Sequence, residues 1–149
     1  MVGTLKSSSL GTSFTSFMAT EDNTVVTVKL RNNVSTFRNQ TGEFEIILNT
    51  GDSYLIANKD YRYGLNGTLI ESNKPIVVNT GSGTGSNADS TGGQDYGMDQ
   101  IVGADLIGSE YIFIKGDGES DWENAIIIAN QNNTVVQAVS YTHLRAHET

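Results

Sequence analysis

The chain has no cysteine, one proline and only two histidines among its 149 residues. Without cysteine there are no disulfides, no thiol chemistry and no thiolate zinc site. Positive charge is also scarce: 9 Lys+Arg stand against 17 Asp+Glu, a formal net charge of −8. Nucleic acids and anionic membranes both demand clustered Lys and Arg, and no such cluster exists, so neither is an expected partner. No apolar run is long enough to span a bilayer, so membrane insertion is not expected either. The first ten residues, MVGTLKSSSL, lack the basic and apolar regions of a signal peptide. What is abundant is Asn, Ser, Thr and Gly, the last 16 times. That composition argues against a helical bundle, and the length suits about one domain that buries roughly two-thirds of its unfolded surface.

The apolar residues come in short β-branched runs separated by turn formers. Strands are expected at 14–20, 24–30, 43–49, 53–57, 68–71, 75–80, 110–115, 124–130 and 134–139. Glu21-Asp22-Asn23, Thr50-Gly51-Asp52, Ser72-Asn73-Lys74 and Gln131-Asn132-Asn133 read as β-hairpin turns, because Asn, Asp and Gly tolerate positive φ. Pro75 opens its strand, where a missing N–H costs little. The triplets Ile46-Ile47-Leu48, Ile76-Val77-Val78 and Ile126-Ile127-Ile128 suggest strands covered on both faces or packed on a second sheet. The stretch 81–97, GSGTGSNADSTGGQDYG, reads as a solvated loop, with a helical turn over 98–106.

One internal repeat stands out. Met18-Ala-Thr-Glu-Asp-Asn-Thr-Val-Val26 aligns with Ile128-Ala-Asn-Gln-Asn-Asn-Thr-Val-Val136, with five identities at a constant offset. A looser echo pairs Leu10-Gly-Thr-Ser-Phe14 with Ile107-Gly-Ser-Glu-Tyr111. The expectation is a fragment of a longer array, truncated at both ends, whose partners include neighbouring repeats of the same chain. From Ser140 the residues SYTHLRAHET resemble a translated sequencing-adapter peptide, so 1–139 is read as the native segment and 140–149 as a non-native tail. His143 and His147 both lie in that tail. The native segment therefore has neither His nor Cys, which removes Ser-His-Asp and Cys-His machinery and imidazole-held metals. No enzyme is expected, and no cofactor other than a possible calcium ion.

Calcium enters through Asp117-Gly-Glu-Ser-Asp121. Asp117, Glu119 and Asp121 alternate around a glycine, and such acids can converge on one hard cation. The EF-hand pattern is incomplete, since its twelfth position is Ile128. The plainer reading is a solvated acidic loop. Asp89, Asp95 and Asp99, with Asn87 and Gln94, present the same choice between a calcium or sugar site and a soluble loop. Tyr61, Tyr63, Tyr96 and Trp122 stand near loops, where they either stack on a sugar ring or pack a sheet edge. Residues 83–88 match G-x-G-x-x-A, but Asp-Ser-Thr-Gly-Gly-Gln follows and makes no helix to receive a pyrophosphate. Four Asn-x-Ser/Thr triplets begin at Asn33, Asn39, Asn66 and Asn132, as chance allows in so Asn-rich a chain.

A family resemblance rests on several segments in order: Gly3-Thr-Leu-Lys-Ser-Ser-Ser-Leu-Gly-Thr-Ser-Phe14, Met18-Ala-Thr-Glu-Asp-Asn-Thr24 and Ile47-Leu-Asn-Thr-Gly-Asp-Ser-Tyr54. Gly67-Thr-Leu-Ile-Glu-Ser-Asn-Lys-Pro-Ile-Val-Val78 and Gly108-Ser-Glu-Tyr-Ile-Phe-Ile-Lys-Gly116 follow. Together they resemble the repeat region related to the IgGFc-binding protein N-terminal domain, as found in secreted surface proteins of Bacteroidota associated with gliding and type IX secretion. The resemblance implies an extracellular or cell-surface, all-β, non-enzymatic segment, its export signal outside this fragment. It carries no catalytic residues over. The expected fold is all-β, antiparallel hairpins packed as a β-sandwich, which about nine strands would fill; propeller-like blades are the alternative that an internal repeat favours. The expected function is a structural or adhesive surface module. The alternative is a calcium-dependent module binding a surface glycan or protein.

Overall fold

A computed structural model describes residues 6–7, 12–58, 64–86, 95–114, 116, 125 and 127–139. Its strands are β1 (Lys6–Ser7), β2 (Ser13–Ala19), β3 (Thr24–Lys29), β4 (Glu43–Leu48), β5 (Ser53–Ala57), β6 (Leu69–Ser72), β7 (Ile76–Ser86) and β8 (Asp95–Ile101). All pairings are antiparallel. One sheet runs β8-β7-β2-β5, with β1 continuing along β7 beyond the start of β2; the other runs β4-β3-β6. The fold is the all-β sandwich expected, not a set of blades.

The alternation of β2 and β3 explains why the sheets stack. Along β3, Thr24, Val26 and Val28 point inward and are buried, while Val25, Thr27 and Lys29 point out. Phe17 and Ala19 of β2 do the same from the opposite sheet. With Leu30, Val34, Leu48, Ile56 and Leu65 they form the core, and Phe44, Tyr54, Ile70, Val78 and Ile101 pack around it. Phe17 stacks on Tyr54 with ring centroids 5.9 Å apart. Thr15 and Thr80 sit in the same inner layer and donate their hydroxyls to the carbonyls of Asn79 and Phe14, which satisfies them without water.

Three of the expected hairpin turns are not hairpins. The turns at 20–23, 49–52 and 73–75 carry the chain from one sheet to the other, since β2, β5 and β7 share one sheet and β3, β4 and β6 the second. The pairings decide this: β2 bonds to β5 and β7 and β3 to β4 and β6, so the strands on the two sides of each turn belong to opposite layers of the sandwich. The three corners gather at one end and bond to one another. The Asn23 N–H donates to Asn49 Oδ1 at 3.2 Å, Thr50 N–H to Asp22 Oδ1 at 2.9 Å, and Val25 N–H to Asn73 Oδ1 at 2.9 Å. Asn23 (φ 54°) and Gly51 (φ 82°) supply the left-handed backbone these turns need.

The Asp22 carboxyl is held below the ordinary Asp range, chiefly by hydrogen bonds from the Thr50 backbone and hydroxyl, with Lys74 helping. A lowered folded pKa stabilises the corner above the unfolded value and is lost as pH falls through the folded one. Melting temperature measured from pH 6 down to pH 2 should therefore fall less steeply for Asp22→Asn than for the wild type below about pH 4. Superimposable acid limbs would contradict that assignment.

Other expectations need correction. Of the two readings of Ile46-Ile47-Leu48, packing on a second sheet holds and coverage on both faces does not: Leu48 is buried, Ile46 packs against the core and Ile47 faces solvent, so β4 is a half-covered edge strand. The expected loop 81–97 is largely sheet: β7 runs through Ser86 and β8 begins at Asp95, while residues 87–94 lie outside the described part. Gly81 and Ser82 are buried there between β2 and β8. The helical turn over 98–106 reduces to a 3-10 turn at Ala104–Leu106, because 98–101 belong to β8. No strand forms among the described residues of 110–115, 124–130 and 134–139, and Tyr111, Ile112, Phe113, Ile114, Ile127, Val135 and Val136 are exposed. A strand needs a neighbour for its N–H and C=O groups, and among the described residues none of these segments pairs with either sheet.

Candidate functional site

Of the acidic residues read as a calcium candidate, Asp117, Glu119 and Asp121 lie outside the described residues, as do Asp89, Asn87 and Gln94. Asp99 lies on the edge strand β8, where its Oδ1 accepts the Gln100 N–H at 2.8 Å. Among the described residues no three Asp, Glu, His or Cys side chains converge as metal ligands. Tyr61, Tyr63 and Trp122 are likewise outside the described residues; Tyr96 is inside and leads to the site.

The pairing registers of the larger sheet decide what lies on its outer face. Across one row run Ala57, Phe14, Gly81 and Met98; across the next, Leu55, Ser16, Asn79 and Gln100; across a third, Ser53, Met18 and Val77. Alternation along β8 puts Tyr96 on the same side as Met98. None of these twelve side chains carries a charge. Tyr96 stacks on Phe14 with centroids 6.2 Å apart, and its hydroxyl reaches Met98 Sδ at 3.7 Å. Leu55, Met18, Tyr96 and Met98 are exposed around a half-buried centre of Phe14, Ser16, Val77 and Asn79.

Glycine makes the platform flat. A Cβ at Gly81 would lie 2.6 Å from Phe14 Cζ and 2.5 Å from the Gly97 carbonyl oxygen. The Phe14 ring therefore lies across bare backbone, and Tyr96 packs beside it from the neighbouring strand. Such a surface offers aromatic faces, two flexible thioethers and a few amide and hydroxyl groups, a combination suited to burying against another protein. It has no general base and no nucleophile with a base beside it.

The other sheet presents different chemistry. Its outer face carries Lys29, Glu43, Glu45 and Glu71, with Lys29 Nζ 2.9 Å from Glu71. The Glu71 hydrogen bond, then the charge of Glu43, raises the Lys29 pKa. At about half exposure that ion pair adds little stability. It keeps the face soluble. At the far end from the corners, Arg31, Asn32, Asn33, Val34, Ser35, Thr41 and Gly42 line a shallow open cleft with one cation and no carboxylate. Beside it Arg38 lies over the Tyr54 ring at 4.7 Å, and the Gln40 side-chain amide donates to the Tyr54 hydroxyl at 3.1 Å. These contacts lock the 30–42 connection against β5, where the Phe37 N–H also donates to the Ala57 carbonyl at 3.0 Å.

Sequence reading singled out Tyr96 and missed Phe14, Met18, Leu55 and Met98. The available signal was in β2 itself: SFTSFMA places Phe14 and Met18 on the face opposite Phe17, so this strand is apolar on both sides.

No curated protein and no solved structure matches the chain significantly. A family model does, and it takes in both sheets, the three corners and the aromatic face. That model is described as IgGFc binding protein and matches residues 1–148, so the chain belongs to the IgGFc binding protein family.

Proposed function

We propose that the chain is an extracellular, adhesive surface module that binds a protein partner through the uncharged outer face of the β8-β7-β2-β5 sheet. The observation that carries this is the separation of charge. In a chain of net charge −8, twelve adjacent outward positions on one sheet are uncharged, and Phe14, Tyr96, Met98, Met18 and Leu55 project there. Leaving such a face in water is costly, and covering it with a partner is favourable at roughly 25 cal/mol for each Å² of apolar surface removed. Membership in the IgGFc binding protein family supports the same reading. In this reading the corner end and the charged sheet hold and solubilise the fold, while the aromatic face does the binding.

The family description supplies the probe. Immobilised IgG Fc is titrated with the wild type, with Tyr96→Ala, with Met98→Ala and with Glu45→Ala, each checked by melting temperature. Truncating Tyr96, the exposed aromatic anchor of the face, should weaken binding at least about tenfold, and the Glu45 change on the opposite face should leave it unaltered. No wild-type binding would exclude the Fc as the partner, and equal losses from both faces would overturn the proposal.

A further inference from the structure

The exposed stretch 127–139 has a structural twin inside the sandwich. At the β2–β3 corner, Asn23 adopts φ 54° and the Thr24 hydroxyl donates to the Glu21 carbonyl at 2.7 Å. At the matching place in the sequence repeat, Asn133 adopts φ 61° and the Thr134 hydroxyl donates to the Gln131 carbonyl at 2.9 Å. The same turn is thus built twice, and its second copy needs no sheet around it. A four-residue Asn turn alone would be a common accident; the flanking residues make it more.

Under the repeat alignment the inward positions Phe17, Ala19, Thr24, Val26 and Val28 correspond to Ile127, Ala129, Thr134, Val136 and Ala138. Every one is identical or an apolar replacement, although nothing covers them in the described residues. Phe17 and Val26 are 1% and 0% exposed, whereas Ile127 and Val136 are 65% and 54% exposed. Val139 corresponds to Lys29, the last residue of β3. The residues are therefore patterned for a core that they do not contact here.

We infer that residues 127–139 form the β2–β3 corner of a second sandwich, and that the occupant covering their apolar side is a following copy of the strands β4 to β8. In β2–β3 those neighbours are what complete the fold: β5 and β7 flank β2, and β4 and β6 flank β3. Segments of that pattern, placed after residue 139, would meet 127–139 as they meet 17–29.

The test joins residues 30–101 directly after residue 139 of the chain, so that the repeat spacing is kept. Amide exchange is followed by NMR, with β2 and β3 in the first sandwich as the internal control. The Val135 and Val136 amides, open in the unextended chain, should slow by about 100-fold or more in the extended one, as buried strand amides do. Ile127→Lys should abolish that protection and leave the first sandwich unaffected. If the first sandwich is protected and 127–139 still exchange freely, the inference fails. It also fails if the unextended chain self-associates and protects 127–139 by that route, because the occupant is then a separate molecule.

Discussion

Phe17→Ala should lower stability by about 3–5 kcal/mol, the largest loss expected from any single truncation here. Phe17 is 1% exposed and lies where the two sheets meet, stacked on Tyr54. Truncation removes that stacking and leaves a void bounded by residues of both sheets. Filling it would require the sheets to approach, and the bonded corners at 20–23, 49–52 and 73–75 resist that. The melting midpoint should drop by more than about 12 °C. Met18→Ala is the control: Met18 is the next residue on the same strand but points outward, so its truncation should cost well under about 1.5 kcal/mol. Comparable losses from the two variants, measured by denaturant unfolding, would contradict the assigned orientation of β2.

Gly81→Val should have the next largest effect, and on two properties at once. The new Cβ would meet the Gly97 carbonyl oxygen and the Phe14 ring inside van der Waals contact. Either β8 moves off β7 or the Phe14 ring swings into water. Overpacking of this kind costs about 1–3 kcal/mol. The second consequence is loss of the Phe14–Tyr96 stack, so binding should weaken along with stability, and the Tyr96 ring signals should shift in NMR spectra. Gly83→Ala is the matched control, because its nearest neighbour, the Thr12 carbonyl oxygen, would be 3.9 Å away. An unchanged melting curve for Gly81→Val would remove the basis for the flat aromatic platform.

Local chemistry explains which parts of the fold were readable in advance. β2 through β6 fall within a residue or two of their expected places, because β-branched alternation and Asn, Asp and Gly turns are short-range signals. Whether each turn joins strands within a sheet or between sheets was not readable. Both need the same positive-φ residues, and only the long-range pairing of the strands on either side distinguishes them. The 81–97 stretch misled for a related reason. Its Gly, Ser and Thr look like loop composition, yet residues 81–86 pair with β1, β2 and β8, and Phe14 lies over the gap at Gly81. At the candidate site only Tyr96 was noticed, since a face assembled from four strands has no contiguous signature in any one of them.

Composition and pattern alone determined that this chain is an all-β member of its class, with turns at Asn23, Gly51 and Asn133, and with one corner written twice. Those features depend on φ preferences and on side chains a few residues apart, and they survive in any context. Only the tertiary structure decided that the corners cross between sheets and that one sheet face is uncharged. It alone decided that the apolar residues flanking the first corner are buried while those flanking the second stand open. Burial and pairing depend on what lies opposite a residue in space. For Val26 that is Ile46 and Ser72; its twin Val136 carries the same side chain and has no strand partner among the described residues.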